Sequence, residues 1–196
     1  MSGARLVRQE GRRAIAVDDV VQSIEVRVGE VTPGYWPQML PPRVGGRALL
    51  LGFGGGTVAH LLLTLSREVE VLAVDDDATV LALARREPRF RIEDPRLTLE
   101  EGDAFALARR LEEAGRRFDH VVVDLYRGKE LVRAALARPF LRRVNGLLAP
   151  RGTAAFNLPR DRRTARRLRR VGQHLRLVET RLVGLNCVVL CERMEG

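Results

Sequence analysis

From Arg47 onward the apolar positions fall into short runs separated by stretches of helical spacing. Residues 48–51, 69–74, 97–100, 120–124 and 153–156 read as strands. Between and after them, residues 57–65, 78–86, 104–114, 131–144 (around Pro139) and 160–173 keep their apolar side chains three or four apart and read as helices. Residues 175–182 and 187–191 are two further strands joined by a short link containing Gly184, which predicts an antiparallel hairpin at a sheet edge. Strands alternating with helices predict a mainly parallel, seven-stranded α/β sheet covered on both faces.

The first 44 residues have a different pattern. Residues 14–17 and 20–28 are β-rich and meet at Asp18-Asp19, which predicts a hairpin. The second run alternates Val20, Gln22, Ile24, Val26 and Val28 on one face, and Gln22 interrupts it. That amide is either a strand-end or hydrogen-bonded core group, or a polar group aimed into a ligand site. Residues 32–42, with four prolines, Tyr35 and Trp36, read as an irregular connector. The expected organisation is an N-terminal β-hairpin element over 1–44 and a ligand-binding domain over 45–196, without internal repeats.

Composition changes this picture little. A chain of 196 residues with 45% hydrophobic and 30% charged residues suits one ordinary globular domain plus a small accessory element. The net charge of +9 comes from 33 arginines and one lysine, Lys129. Seven arginines lie between Arg160 and Arg170, where Ala165, Leu168 and Val171 form an apolar face. The arginines are therefore expected to be the solvated side of a helix, and a nucleic-acid-binding arm is the less favoured reading. Cys187 and Cys191, four apart in an apolar run, read as buried thiols, and His60, His120 and His174 share no motif. No metal site is expected, because no Cys/His pair stands at ligand spacing. No segment reads as a secretory signal or a membrane span, so a cytoplasmic location with no membrane partner is expected.

The candidate chemistry lies at the strand ends. Leu51-Gly52-Phe53-Gly54-Gly55-Gly56-Thr57 is a glycine-rich turn from strand into helix, where the backbone can approach a ligand closely. Thr57 stands at the third glycine of the dinucleotide pattern G-x-G-x-x-G. Gly52, Gly54 and Gly56 instead satisfy G-x-G-x-G, which favours an adenosyl-sulfonium ligand. The next strand ends at Asp75-Asp76-Asp77, with Asp75 nineteen residues beyond Gly56, where a carboxylate can accept both ribose hydroxyls. Asp77 or Asp76 better suits the helix N-cap. Gly102-Asp103-Ala104 ends the third strand, with Asp103 either reaching an adenine amino group or capping the next helix. Asp124 ends the fourth, beside Tyr126.

The ordered set Asp18-Asp19-Val20-Val21-Gln22, Trp36-Pro37-Gln38-Met39, Leu51 to Gly56, Val74-Asp75, Asp94-Pro95-Arg96, Gly102-Asp103-Ala104 and Phe118 to Asp124 resembles the spermidine synthases, or polyamine aminopropyltransferases. The resemblance covers residues 14–160. It implies a Rossmann-like class I methyltransferase fold behind an N-terminal β-hairpin unit, usually in a homodimer. It also implies a small-molecule donor, S-adenosylmethionine or decarboxylated S-adenosylmethionine, held by Gly52, Gly54, Gly56, Asp75, Asp76, Gly102, Asp103 and Ala104. Asp124 would be the base for an amine acceptor, with Gln22 and Tyr126 on the acceptor side.

Two departures matter. The family's glycine turn reads G-G-G-D-G-G, and its aspartate, which holds the amino end of the transferred group, falls at Gly55. The family's D-S-S-D-P matches Asp124 at its first aspartate, but Arg127 replaces the second, which holds the amine acceptor. A polyamine ammonium 4 Å from Arg127 would be repelled by about 4 kcal/mol at an effective dielectric of 20, unless the side chain turns to solvent. The expected function is a spermidine-synthase-like transfer from an S-adenosyl sulfonium, with an ordinary polyamine acceptor in doubt. The rivals are an S-adenosylmethionine-dependent methyltransferase and a nonenzymatic binding protein that retains the fold. Gly55→Asp with Arg127→Asp is expected to shift preference toward the decarboxylated donor and to admit putrescine, provided the turn tolerates a side chain.

Overall fold

The computed structural model describes residues 3–90 and 93–195. Three antiparallel strands open the chain: β1 (Arg5–Gln9), β2 (Arg12–Val17) and β3 (Val20–Ile24). Asp18 and Asp19 both have positive φ, 47° and 61°, which gives the β2–β3 hairpin the turn twist that matches right-handed strands. The strand β1 is missing from the sequence reading. Its RLVRQ pattern is almost wholly exposed, so no buried face marks it.

The alternation along 20–28 also fails as a single face. Ser23 pairs with Ile15 and Val21 with Ala16, leaving Gln22 as the extra residue of a β-bulge. A bulge shifts the alternation by one position, and β3 stops at Ile24; Val26 is buried off the sheet and Val28 is exposed.

The main sheet has seven strands: β4 (Arg47–Leu51), β5 (Glu70–Asp75), β6 (Leu97–Glu101), β7 (Phe118–Val123), β10 (Leu148–Pro159), β11 (Arg176–Val183) and β12 (Asn186–Glu192). Between β7 and β10 lies a small hairpin, β8 (Tyr126–Arg127) with β9 (Glu130–Leu131). The spatial order of the main sheet is β11-β12-β10-β7-β4-β5-β6. All pairs are parallel except β10–β12 and β11–β12, so the expected antiparallel edge is present.

Helices α1 (Thr57–Leu65), α2 (Ala78–Arg86), α3 (Ala104–Glu113), α4 (Arg138–Leu147) and α5 (Thr164–Gly172) cover the faces. Leu49, Leu51, Val121 and Val123 pack with Leu107, Leu141 and Val144 on one side. Ala48, Leu50, Ala73 and Val122 pack with α1, Trp36 and Met39 on the other. Neighbouring residues of one strand thus enter opposite cores, which explains the continuous apolar runs.

The expected helix over 131–144 is three pieces. Leu131 belongs to β9, Arg133–Leu136 is a single 3-10 turn, and Pro139 lies in the first turn of α4. Proline there starts a helix, since its missing N–H would be unpartnered anyway. Helix α5 is shorter than expected, and Ala165 is exposed; Val171 is buried and Leu168 packs partly against the core. Cys187 and Cys191 are free and buried on β12, and burial raises both thiol pKa values. Among the described residues, no helix is long and apolar enough to cross a membrane.

Candidate active site

The parallel strands β4, β5, β6 and β7 end on one rim, and the topology gathers their terminal residues there. Gly52 leaves β4 with φ 94°, and a Cβ on it would lie 2.1 Å from the Asp124 carbonyl oxygen. Only glycine lets the two strand ends meet so closely. The Asp75 carboxylate reaches back to the turn: Oδ2 accepts the Phe53 N–H (2.9 Å) and the Gly54 N–H (2.7 Å), and Oδ1 accepts the Asp77 N–H (3.0 Å). Burial pushes this carboxyl above its usual range, and those three N–H groups oppose the push. A carboxylate has about four lone-pair sites, so one remains for a ligand hydroxyl.

Asp77 caps α2 by accepting from Thr79 N and Val80 N, leaving Asp75 clear of that role. Asp103 caps α3 through Ala106 N (2.7 Å), while also lining the same cavity.

That cavity, about 60 Å³, is lined by eight of the expected residues: Gly52, Asp75, Asp76, Gly102, Asp103, Ala104, Asp124 and Tyr126. Gln22, Gly54 and Gly56 do not line it. Gln22 belongs to β3, which lies over the glycine turn: a Cβ on Gly54 would stand 2.9 Å from the Gln22 carbonyl oxygen. Arg127 is at the rim, 81% exposed, with Nη2 3.7 Å from Asp76 Oδ2. It is turned outward toward a carboxylate. Among the described residues, no group of three or more His, Cys, Asp or Glu could hold a metal ion.

Asp124 is the most constrained group. Tyr35 Oη donates to its Oδ2 (2.8 Å) and Asn157 Nδ2 donates to its Oδ1 (2.9 Å). Burial, helped by the nearby Asp75 charge, pushes its carboxyl up to about 6, against those two hydrogen bonds. A buried carboxyl near neutrality can take and release a proton. Asn157 Oδ1 is buried without a partner, and Tyr126 Oη donates to the Asn157 backbone carbonyl (3.3 Å). Burial, with the Asp124 charge, raises the Tyr126 phenol, so it stays protonated.

Tyr35 and Asn157 escaped the sequence reading. Tyr35 stacks on Trp36 with ring centroids 4.7 Å apart, on the one-turn helix Trp36–Met39. That turn is pinned to the sheet by His120, whose Nε2–H donates to the Met39 carbonyl (2.8 Å) while Nδ1 accepts from Thr153 Oγ1 (2.8 Å). Burial depresses the His120 pKa to about 4 and keeps the ring neutral. An aromatic pair among prolines was the available signal for Tyr35.

The glycine turn is also closed from above. Thr57 Oγ1 accepts from Ile24 N (2.8 Å) and from Ser23 Oγ (2.6 Å) and donates to the Ile24 carbonyl (3.0 Å). Ser23 Oγ in turn accepts the Thr57 N–H (3.2 Å). Ser23 thus satisfies a free N–H at the start of α1, which has no side-chain cap of its own. A Cβ on Gly55 would lie 2.7 Å from Ser23 Cβ and from Ile15 Cδ1. The proviso on Gly55→Asp therefore fails: the N-terminal sheet fills the space an aspartate would need.

The chain is similar in sequence and in shape to known proteins. A polyamine aminopropyltransferase of Pyrobaculum neutrophilum is 31% identical over 151 residues, 71% of this chain and 50% of that protein. One from Vibrio vulnificus is 28% identical over 111 residues, 57% of this chain and 37% of that protein. Its sequence relatives are polyamine aminopropyltransferases, and the chain is similar to that family. It spans half or less of the length of these curated relatives. No protein-family model matches it. Among solved structures, a probable spermidine synthase from Corynebacterium glutamicum superposes with a TM-score of 0.74, at 19% identity, over 100% of this chain and 78% of that one. Human methyltransferase-like protein 13 in complex with SAH gives 0.69, at 20% identity, over 77% and 73%. The class I methyltransferase-like fold of the chain is thereby established.

Proposed function

We propose that this chain is a transferase that moves a group from an S-adenosyl sulfonium, ordinary or decarboxylated, to an amine acceptor. The observation that carries the reading is Asp124: a carboxylate held by Tyr35 and Asn157, poised near neutrality, on the same rim as the Asp75-clamped glycine turn. Asp75 would take a ribose hydroxyl on its remaining lone pair, and Asp103 and Ala104 would border the adenine. The acceptor nitrogen would attack the carbon bonded to sulfur. The C–S bond pair leaves on a neutral thioether as the C–N bond forms, and the amine proton passes to Asp124. Alignment of the two partners supplies most of the acceleration, and a positioned base adds about 10²–10⁴-fold. The unpartnered Asn157 Oδ1 would accept an N–H of the incoming amine and orient it.

A methyltransferase is the second reading, favoured by Gly55. No carboxylate stands there to hold an aminopropyl ammonium or to repel the carboxylate of ordinary S-adenosylmethionine. Homodimer formation and the assignment of residues 1–44 as a separate accessory element belong to the transferase reading through the resemblance to spermidine synthases, and a cytoplasmic location is proposed with it.

Calorimetry with methylthioadenosine, S-adenosylmethionine and its decarboxylated form tests the proposal. All three should bind, the ordinary donor comparably to or better than the decarboxylated one. Asp75→Ala should weaken methylthioadenosine by about 1.5–3 kcal/mol, the range for hydrogen bonds to charged groups. Binding that ignores this substitution would remove the nucleoside from the cavity.

A further inference from the structure

A second concavity, about 600 Å³, lies on the same rim, between the β8–β9 hairpin, the turn Arg133–Leu136 and α5. Its lining includes Lys129, Arg133, Arg163, Arg166, Arg167 and Arg170, against only Glu130 and Asp161. Arg167 is neutralised by a two-pronged pair with Asp161, at 2.7 and 3.1 Å, and also donates to the Pro159 carbonyl. Among the described residues, no ion pair engages the other five cations. Arg163, the N-cap of α5, and Arg166 and Arg170 within it stand three and four residues apart, so they turn together into the groove.

Six cations outnumber two carboxylates in this lining, Asp161 is bridged to Arg167 with Arg163 in its electrostatic reach, and such an excess of one sign in a cleft concentrates anions. The groove also adjoins the proposed catalytic group. Tyr126, beside Asp124, pairs across the small hairpin with the groove residue Leu131. Pro159 lies two residues beyond Asn157 on β10. The Tyr126 hydroxyl lies within the electrostatic reach of both Arg167 and Asp161.

We infer that the acceptor is a small phosphate-bearing molecule whose anionic end occupies this arginine groove and whose nucleophile reaches Asp124. This rests on the transferase reading and supplies its missing substrate class. A lone carboxylate brings one charge to five cations. A phosphate or diphosphate brings nearly two or more, with several acceptor oxygens that match guanidinium forks. The volume is that of a small-molecule site. Putrescine, a compact dication, has the wrong sign here.

The test uses inorganic pyrophosphate as the probe, with calorimetry at low salt on the wild type and on the Arg163→Gln/Arg166→Gln/Arg170→Gln variant. Pyrophosphate should bind the wild type and lose at least tenfold in the variant, with part recovered when the same three positions are Lys. Methylthioadenosine should bind both proteins equally. Equal pyrophosphate affinity in the two proteins would overturn the site. So would putrescine displacing pyrophosphate. A 20-nucleotide single strand that binds a hundredfold tighter than pyrophosphate, with a steep salt dependence lost in the variant, would overturn the small-molecule assignment in favour of nucleic acid. Loss of methylthioadenosine binding alone would sink the transferase reading and leave the groove standing.

Discussion

The two cavities on the rim differ in sign. Around Asp75, Asp76, Asp103 and Asp124 the walls are acidic; Asp75 is tied to backbone amides, Asp103 caps a helix and Asp124 is held by Tyr35 and Asn157. Across the β8–β9 hairpin, the groove is basic, and its arginines are exposed and largely unpaired. Clamped acids suit a cationic sulfonium that must be held in one pose. Free bases suit a ligand that supplies the missing counter-charge itself. The difference teaches that the net charge of +9 is not spread evenly: acids gather on one side of the β8–β9 hairpin and bases on the other.

The sharpest way to break this contrast is Asp124→Asn. Turnover should fall by about 10²–10⁴-fold, measured as kcat with saturating substrates. In the wild type, kcat should rise with pH through about 6 as Asp124 ionises. Stability should move the opposite way. The folded pKa lies above the ordinary 3.8, so the native state holds the proton more tightly than the unfolded chain, and stability falls as pH rises from about 4 to about 6. Asn has no charge to bury, its oxygen can accept from Asn157, and its amide can donate to a rotated Tyr35 hydroxyl. Urea unfolding at pH 8 should find the variant no less stable than the wild type. A large loss of stability would mean that the carboxylate is structural.

Next in size is Gly55→Asp, which tests whether the acidic side is closed from above. Its Cβ collides with Ser23 and Ile15 and brings a charge into a buried site, so a loss of at least about 3 kcal/mol is expected by denaturant unfolding. A stable variant that now prefers the decarboxylated donor would show that the N-terminal sheet can lift from the turn.

Thr57→Val should cost about 1–3 kcal/mol, because Ile24 N and the Ile24 carbonyl lose their buried partner. The smallest effect sharpens the basic side. Arg162 and Arg169 lie on α5 or just before it but do not line the groove, so changing both to Gln should leave pyrophosphate affinity and stability within about 0.5 kcal/mol. An effect as large as that of the three groove-facing arginines would mean that the helix acts only through its total charge.

Much of the fold was legible because periodicity is local. The strands at 48–51 and 69–74, the helices at 57–65 and 78–86 and the antiparallel edge each announce themselves within a dozen residues. The reading failed where the local signal was weak or ambiguous: β1 has no buried face, the β8–β9 hairpin is two residues per strand, and the bulge at Gln22 breaks the alternation on which its facing was read. For the site, strand-end acids could be found from sequence, since a parallel α/β sheet places every such position on one rim. Their partners could not.

The sequence by itself determined the alternating α/β pattern, the glycine turn and the positions of Asp75, Asp103 and Asp124. Only the tertiary structure decided that Tyr35 and Asn157 converge on Asp124 from 89 and 33 residues away. The same is true of Ser23, which caps a helix 34 residues later, and of which α5 arginines face a groove. The physical reason is that periodicity encodes which face of an element is buried. Which distant side chains share a hydrogen bond or a concavity is set by the order in which strands cross the sheet and by how the connecting segments pack over its rim.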